Sequence, residues 1–579
     1  MTAPDNELES VLTIDIGSVN TRVILFDLAG NTYRMLAAGS SSSTHLAPLR
    51  DAQEGVAAAI HQMEEVTGRN LLDAEHRLIT PSSFVGSGVD RLAVTSSAGA
   101  DVRIIAIGLL EELSLASVEK LAGGMYSRIV ERFMLNDKRK PEDRLNAFVQ
   151  AEPDLVIVAG GTNRGAGRAV LRMVEQLRLA LQACQPEKRP IVIYAGNETL
   201  VERVKETLEK FTSVHIASNI RPFSTTEDPA PAEETLSQVA NNFRSKNLAG
   251  FIELEKISGI PIIPTVSAEA RMVRFQSLQT DPNRTVLGVN VGSAASHLVA
   301  SNNGQMNTCV FRGLGVGQAA GETLTRVGLD AILRWLPMEL TGSFVRDYLW
   351  QKSLFPAGLP MDSETLAIEQ AVARAILSEM KRSSRNFQFH ATSEFEPILA
   401  SGAVIAQAPT PQQTLLMLLD GIQPGGVATI WSDRFGILSS LGACAAINPA
   451  LVVQVLESGA LTNLGTVVSP VFKAKDGEVV LKVRLSTENT TVQEFEINQG
   501  DIVRLPLTVG TSAKLQLKPQ KHMESFPGFS RLSSGFKVIG GELGVVVDLR
   551  GRPINMPTDP GLRREYNAKW IQSIKESLT

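Results

Sequence analysis

A unit of two apolar strands joined by a Gly-Ser turn occurs twice in this chain, and an internal repeat constrains a fold before any local reading does. The first copy, VLTIDIGSVNTRVILFD, starts at Val11; the second, RTVLGVNVGSAASHLVAS, starts at Arg284. Aligned, Asp15-Ile16-Gly17-Ser18 matches Asn290-Val291-Gly292-Ser293, with a polar residue in the same place inside each apolar strand. A third glycine turn, ILASGAVIAQAP, follows at 398–409.

The first copy carries phosphate chemistry. A nucleotide's phosphates are held by backbone N–H groups of a tight turn, by nearby hydroxyls, and by a carboxylate that positions hydrated magnesium. Asp15 supplies the carboxylate for the metal's waters, and Gly17 permits close approach. Ser18 and Thr21 are hydroxyl donors, and Arg22 is a charge-assisted donor. An ordinary hairpin accounts for Gly17 but not for an acid inside an apolar strand, where burying even a neutral polar group unpartnered costs about 2–7 kcal/mol.

The remaining sequence fits a large cytoplasmic α/β protein. Its 579 residues give room for roughly four domains or lobes. A net charge of −5 argues against broad binding to nucleic-acid backbone. Cys184, Cys309 and Cys444 are far apart with no CxxC pair, and the acidic leader is the reverse of a signal peptide. Phe435 to Leu456 holds no charge, yet Ser439, Ser440, Gly442 and Pro449 interrupt it, so a buried helix pair is expected rather than a membrane span.

From PDLVIVAGG to VHIAS, strands and helices alternate at a pitch that implies a parallel, helix-covered sheet. Beyond Gly465 the pattern alternates apolar and polar residues with DG and NQGD turns, as in antiparallel strands. A short amphipathic helix with Trp570 and Ile574 follows from about Pro560.

The two hairpins and the third glycine turn resemble the actin, sugar kinase and heat-shock chaperone superfamily of ATPases. Within it the chain is most similar to the MutL family, accessory proteins of B12-dependent glutamate mutase. The similarity is carried by DIGSVNTRV, SSAG at 96–99, PDLVIVAGGT at 153–162, SNIRP at 218–222, the second hairpin and the SGAV turn. It implies an α/β, actin-like two-lobed ATPase fold built on ribonuclease H-like repeats, with an appended C-terminal antiparallel β module. The expected boundaries are a flexible leader 1–10, a first lobe 11–283 with an inserted βαβ-like unit, a second lobe 284–464, a β-rich module 465–556 and a tail 557–579.

The resemblance also implies ATP and Mg2+ as ligands. Asp15 would hold magnesium through water, Gly292 and Ser293 would close on the phosphates from the other lobe, and Gly402 would let adenosine pack against backbone. Gly160, Gly161 and Thr162 of GGTNRGAG form a further ligand-loop candidate, although their spacing fits neither a dinucleotide nor a P-loop motif. The implied role is nucleotide-dependent domain closure passed to a protein partner, a B12-dependent mutase. The alternative is a non-hydrolysing scaffold or filament-forming, self-assembling protein.

Two departures bear on turnover. The family has acids where this chain shows Asn290 and, within Ala295-Ser296-His297, His297; its GGTDGG loop here has Asn163. These changes point to a weak ATPase or pseudo-ATPase, and to faster hydrolysis when Asn290 and Asn163 are returned to Asp. His297 is expected to be a solvent-facing or satisfied side chain rather than a ligand, and GLGVGQAAGETL at 313–324 a structural turn.

Overall fold

The structure, a computed structural model, describes residues 9–83, 86–384, 395–487, 492–526 and 534–578. All but the last two residues of the expected leader lie outside the described residues. The first hairpin is β1 (Val11–Ile16) and β2 (Asn20–Ala29); it continues antiparallel into β3 (Thr32–Ser42), while β4 (Arg91–Ser96) runs parallel to β1. The helix Ala52–Thr67 covers this sheet, and the side chain of Asp51 caps it by accepting from Gln53 N.

After β4 the chain leaves the lobe to build the inserted unit. Its strands β5 (Val102–Gly108), β6 (Ser127–Met134), β7 (Leu155–Ala159), β8 (Ile191–Tyr194) and β9 (Val214–Ile216) form an all-parallel sheet in the order β6-β5-β7-β8-β9. Continuous apolar runs such as LVIVA suit strands covered by helices on both faces. The chain then returns through β10 (Ile263–Pro264), which pairs with β4 and leads directly into the helix Thr265–Gln279.

The second lobe repeats the first. Its strands are β11 (Thr285–Val291), β12 (Ala295–Asn302), β13 (Gln305–Arg312), β14 (Phe395–Ser401) and β15 (Gly426–Ser432). They lie in the order β13-β12-β11-β14-β15, and the first lobe's strands read β3-β2-β1-β4-β10. In each lobe an antiparallel three-strand meander is followed by two crossover-linked strands, parallel to the first where they pair. Two such repeats make the actin-like two-lobed α/β fold that the hairpins implied.

The C-terminal antiparallel β region is appended to that lobe through a shared sheet. It contributes β16 (Thr462–Ser469), β17 (Val471–Phe472), β18 (Val479–Ser486), β19 (Gln493–Asn498), β20 (Ile502–Leu505), β21 (Ser512–Pro519), β22 (Met523–Ser525), β23 (Phe536–Ile539) and β24 (Val545–Asp548). The expected boundary at 464 falls inside β16, and β16, β24 and β20 extend the second lobe's sheet to eight strands. Apart from that sheet, β19-β18-β21-β23 forms a four-stranded antiparallel sheet and β17-β22 a two-stranded one. The change of period after Gly465 marks β18, β19 and β21, which have one solvated face. It does not mark the end of the second lobe's sheet, which β16 and β24 continue as buried strands. Trp570 and Ile574 of the helix Pro560–Lys575 are buried in the second lobe's core.

The uncharged stretch forms two short helices, Ile437–Cys444 and Pro449–Glu457. Pro449 sits in the first turn of the second, where its missing N–H costs nothing, and Asn448 caps it. Among the described residues no helix is long and apolar enough to cross a membrane.

Candidate functional site

The two hairpin turns have the same backbone geometry. Gly17 N donates to Asn20 O at 2.9 Å, and Gly292 N donates to Ala295 O at 3.2 Å. A Cβ at Gly17 would stand 2.7 Å from Asn20 O, and one at Gly292 2.5 Å from Ala295 O, so close approach requires glycine in both lobes. The strand registers match as well: Asp15 faces Arg22 across the first hairpin, as Asn290 faces His297 across the second.

These turns line one cleft of about 270 Å3 between the lobes. Of the residues expected at the site, Asp15, Gly17, Ser18, Arg22, Gly292, Ser293 and Gly402 line it. Asp15 is set at the end of β1 by two threonines, Thr95 Oγ1 at 2.6 Å and Thr265 Oγ1 at 2.8 Å, both donating to Oδ1. Its Oδ2 has no hydrogen-bond partner among the described residues. Burial pushes this carboxyl above its ordinary range, opposed by the two threonine hydrogen bonds and the charge of Arg22. One anchored oxygen and one open oxygen suit a carboxylate that holds magnesium through its waters.

The second turn is held from behind. Ser293 O accepts from Gly317 N and Ala319 N, and Ser293 Oγ accepts from Gln318 N at 2.8 Å, which leaves the hydroxyl proton of Ser293 free to donate. The GLGVG segment is therefore a structural buttress, and through Val316 and Gly317 it also lines the cleft. Gly402 has φ +89°, and a Cβ there would stand 2.2 Å from Val291 O; only glycine lets β14's turn lie against the second hairpin.

Four expected residues are placed elsewhere. Thr21 alternates with Arg22 along β2 and so points away from the cleft; it is buried and bonds Ser43 Oγ, which itself donates to Gly17 O. Its role is to brace the turn. Gly160, Gly161 and Thr162 follow β7 in the inserted unit, where Gly161 O accepts from Asn219. Asn163 in the same loop accepts from Asn219 Nδ2 at 2.7 Å and from Glu198 N. This loop is closed by its own hydrogen bonds and does not line the cleft, so Asn163 is not a missing carboxylate of the phosphate site.

Sequence reasoning missed Glu269. It lies on the helix Thr265–Gln279, is 6% exposed, and accepts from Asn290 Nδ2 at 2.8 Å, His297 Nε2 at 2.8 Å and Ser401 Oγ at 3.1 Å. His297 is thus a satisfied side chain, but a buried one and not solvent-facing. The amide at 290 gives its N–H to Glu269, leaving its oxygen as an acceptor. Tyr126, Arg312, Lys352 and Glu369 also line the cleft. Lys352 Nζ pairs with Glu369 Oε1 at 2.6 Å, and Tyr348 donates to the same oxygen at 2.6 Å. Tyr348 and Lys352 stand one turn apart on the helix Gly342–Leu354, but Tyr126, Arg312 and Glu369 come from other elements, so no motif spacing links them to it.

Comparison with known proteins gives the following. A family model described as MutL protein matches residues 11–459. Protein MutL of Clostridium tetanomorphum is 27% identical over 235 residues, 39% of this chain and 48% of that protein. The chain thus spans about half the length of that curated relative. Among solved structures, nucleotide-free acetone carboxylase superposes with a TM-score of 0.31 at 11% identity, covering 92% of this chain and 87% of the other. Diol dehydratase-reactivating factor in nucleotide-free form gives 0.30 at 10% identity, covering 78% of this chain and 100% of the other.

Proposed function

The chain belongs to the MutL protein family, and from that premise we propose that it binds Mg-ATP between its lobes and passes the resulting closure to a protein partner. The observation that carries this reading is the pair of matched hairpins on one cleft, with the open oxygen of Asp15 at one of them. Magnesium would supply charge neutralisation at the phosphates. Asp15 orients its waters, Ser18 and Ser293 donate to phosphate oxygens, and Arg22 brings a guanidinium that has no hydrogen bond or ion pair among the described residues. Gly402 admits the nucleoside side.

Turnover is slow in this reading. Phosphoryl transfer needs positioning and charge stabilisation, and Asn290 can accept a hydrogen bond from water but cannot take up its proton. The partner reading is supported by the cleft's rim. Leu359, within the Pro356–Pro360 segment that lines the cleft, and Met361, next to it, are 79% and 89% exposed. A protein covering these side chains would sense whether the cleft is closed. The family resemblance makes a B12-dependent mutase the partner of choice.

Titration calorimetry with Mg-ATP tests the site. The Asp15→Ala variant is expected to bind at least about tenfold more weakly, the loss of one charge-assisted contact. Equal affinities would overturn the assignment.

A further inference from the structure

Tyr126 is contributed by the inserted unit, immediately before β6, yet its side chain lines the cleft between the lobes. The residue is 4% exposed and its hydroxyl has no hydrogen-bond partner among the described residues. Two guanidiniums hold the ring: Arg244 Cζ lies 5.3 Å and Arg312 Cζ 5.7 Å from its centroid. Arg244 is buried and donates to Ala98 O. Arg312 ends β13 in the second lobe, pairs with Asp101 at the start of the inserted unit, and has a buried Nε without a hydrogen-bond partner.

Arg312, whose guanidinium lies over the Tyr126 ring, is paired with Ala295 of the second hairpin across β12 and β13. This sets Tyr126 beside that turn, in the field of the Glu269 and Asp15 carboxylates. Burial, reinforced by the two carboxylates, holds the phenol protonated well above neutrality, so it is a hydrogen-bond donor. The hydroxyl makes no hydrogen bond among the described residues and faces the cleft, so it is free to donate to a ligand there. An anion drawn into the cleft by Arg22 and Arg312, which both line it, would supply the acceptor.

We propose that Tyr126 reads the terminal phosphate of the bound nucleotide, its hydroxyl donating to a γ-phosphate oxygen and thereby distinguishing triphosphate from diphosphate. The inference rests on the nucleotide reading above. It makes the inserted unit part of the nucleotide sensor, because Tyr126 and Asp101 belong to that unit while Arg312 belongs to the second lobe. A ligand that orders Tyr126 therefore also fixes the unit against the lobe.

The proposal is tested by calorimetry on the full chain with Mg2+, comparing ADP with a hydrolysis-resistant ATP analogue, for wild type and Tyr126→Phe. The variant keeps the ring and both cation–π contacts. Its affinity for the analogue is expected to fall roughly 10- to 100-fold, as for a lost hydrogen bond to a charged acceptor, with ADP unchanged. The ligand-free melting temperature should stay unchanged, since the hydroxyl makes no hydrogen bond among the described residues, whereas a hydroxyl with a structural role would lower it when removed. Equal weakening of both nucleotides, or no change in either, overturns the proposal while leaving the nucleotide site standing. Failure of wild type to bind either nucleotide overturns both readings.

Discussion

His297 Nε2 lies 2.8 Å from Glu269 Oε2, so the second hairpin is tied to the helix that follows the first lobe's last strand. Both residues are buried. The other oxygen of the same carboxylate is taken by Asn290. The acid absent from position 290 therefore has a counterpart one element away, and the histidine and the amide that replace acids both donate to it, together with Ser401.

This arrangement reverses the expectation that a carboxylate at position 290 speeds hydrolysis. Asn290→Asp replaces a donor with a second carboxylate at hydrogen-bond distance from Glu269, and two such groups cannot both ionise. We expect the variant to lose about 1.5–3 kcal/mol for the broken charged hydrogen bond, with no gain in turnover. Urea denaturation at neutral pH and a phosphate-release assay check both parts; faster release with intact stability would restore the degenerate-site reading.

A buried ionic network fastens β24 to the second lobe. Arg550 donates to Asp548 at 2.9 Å and to Asp420 at 2.7 Å, and Asp420 also accepts from Arg374 at 2.6 Å. Burial opposes ionisation of Asp548, but the charges of Arg550 and Arg552 outweigh it and hold the carboxyl below its ordinary range. Removing one partner of a buried pair leaves an uncompensated charge, so Arg550→Met should cost about 3–5 kcal/mol. A loss under about 1 kcal/mol in the same denaturation experiment would mean that the network contributes little.

The C-terminal region should not separate from the second lobe. A fragment ending at 464 would cut β16 and remove Val467, Val546, Trp570 and Ile574 from the core they share with β11 and β14. Expressed alone, that fragment is expected to lack the cooperative melting of the whole chain. Wild-type melting by circular dichroism would show that the extension is dispensable.

Asp433 gives a pH signature. It caps the helix Ile437–Cys444, accepting from Ile437 N at 2.8 Å and Leu438 N at 2.9 Å. Burial nevertheless pushes its carboxyl from 3.8 to about 6. The folded state therefore binds the proton more tightly than the unfolded chain, and stability is lost as pH rises from about 4 to 6. The loss is on the order of 1–3 kcal/mol. The difference in unfolding free energy between wild type and Asp433→Asn should change with pH across that window and be flat above about 7. A difference that does not vary with pH would exclude this titration.

How far the sequence reached depends on the range of the interaction. The hairpins, the Gly402 turn and the alternation in the inserted unit are local patterns, in which a few successive residues fix the backbone, and the sequence alone sufficed to locate them. It also determined which lobe carries the acid, since Asp15 and Asn290 hold equivalent register positions. Thr21 was misplaced because spacing along a chain does not say which face of a strand a residue presents. Asn163 was misplaced because a glycine loop in the inserted unit carries the same local signature as one in the cleft. Glu269, Tyr126 and Arg312 reach the site from a helix, the inserted unit and the end of β13, and only packing brings such distant segments together. The same reason applies to β16 and β24: strand pairing is a long-range choice, settled when the second lobe's sheet accepted further strands, and the alternation after Gly465 records the half-exposed strands β18 and β21, not the buried β16 and β24.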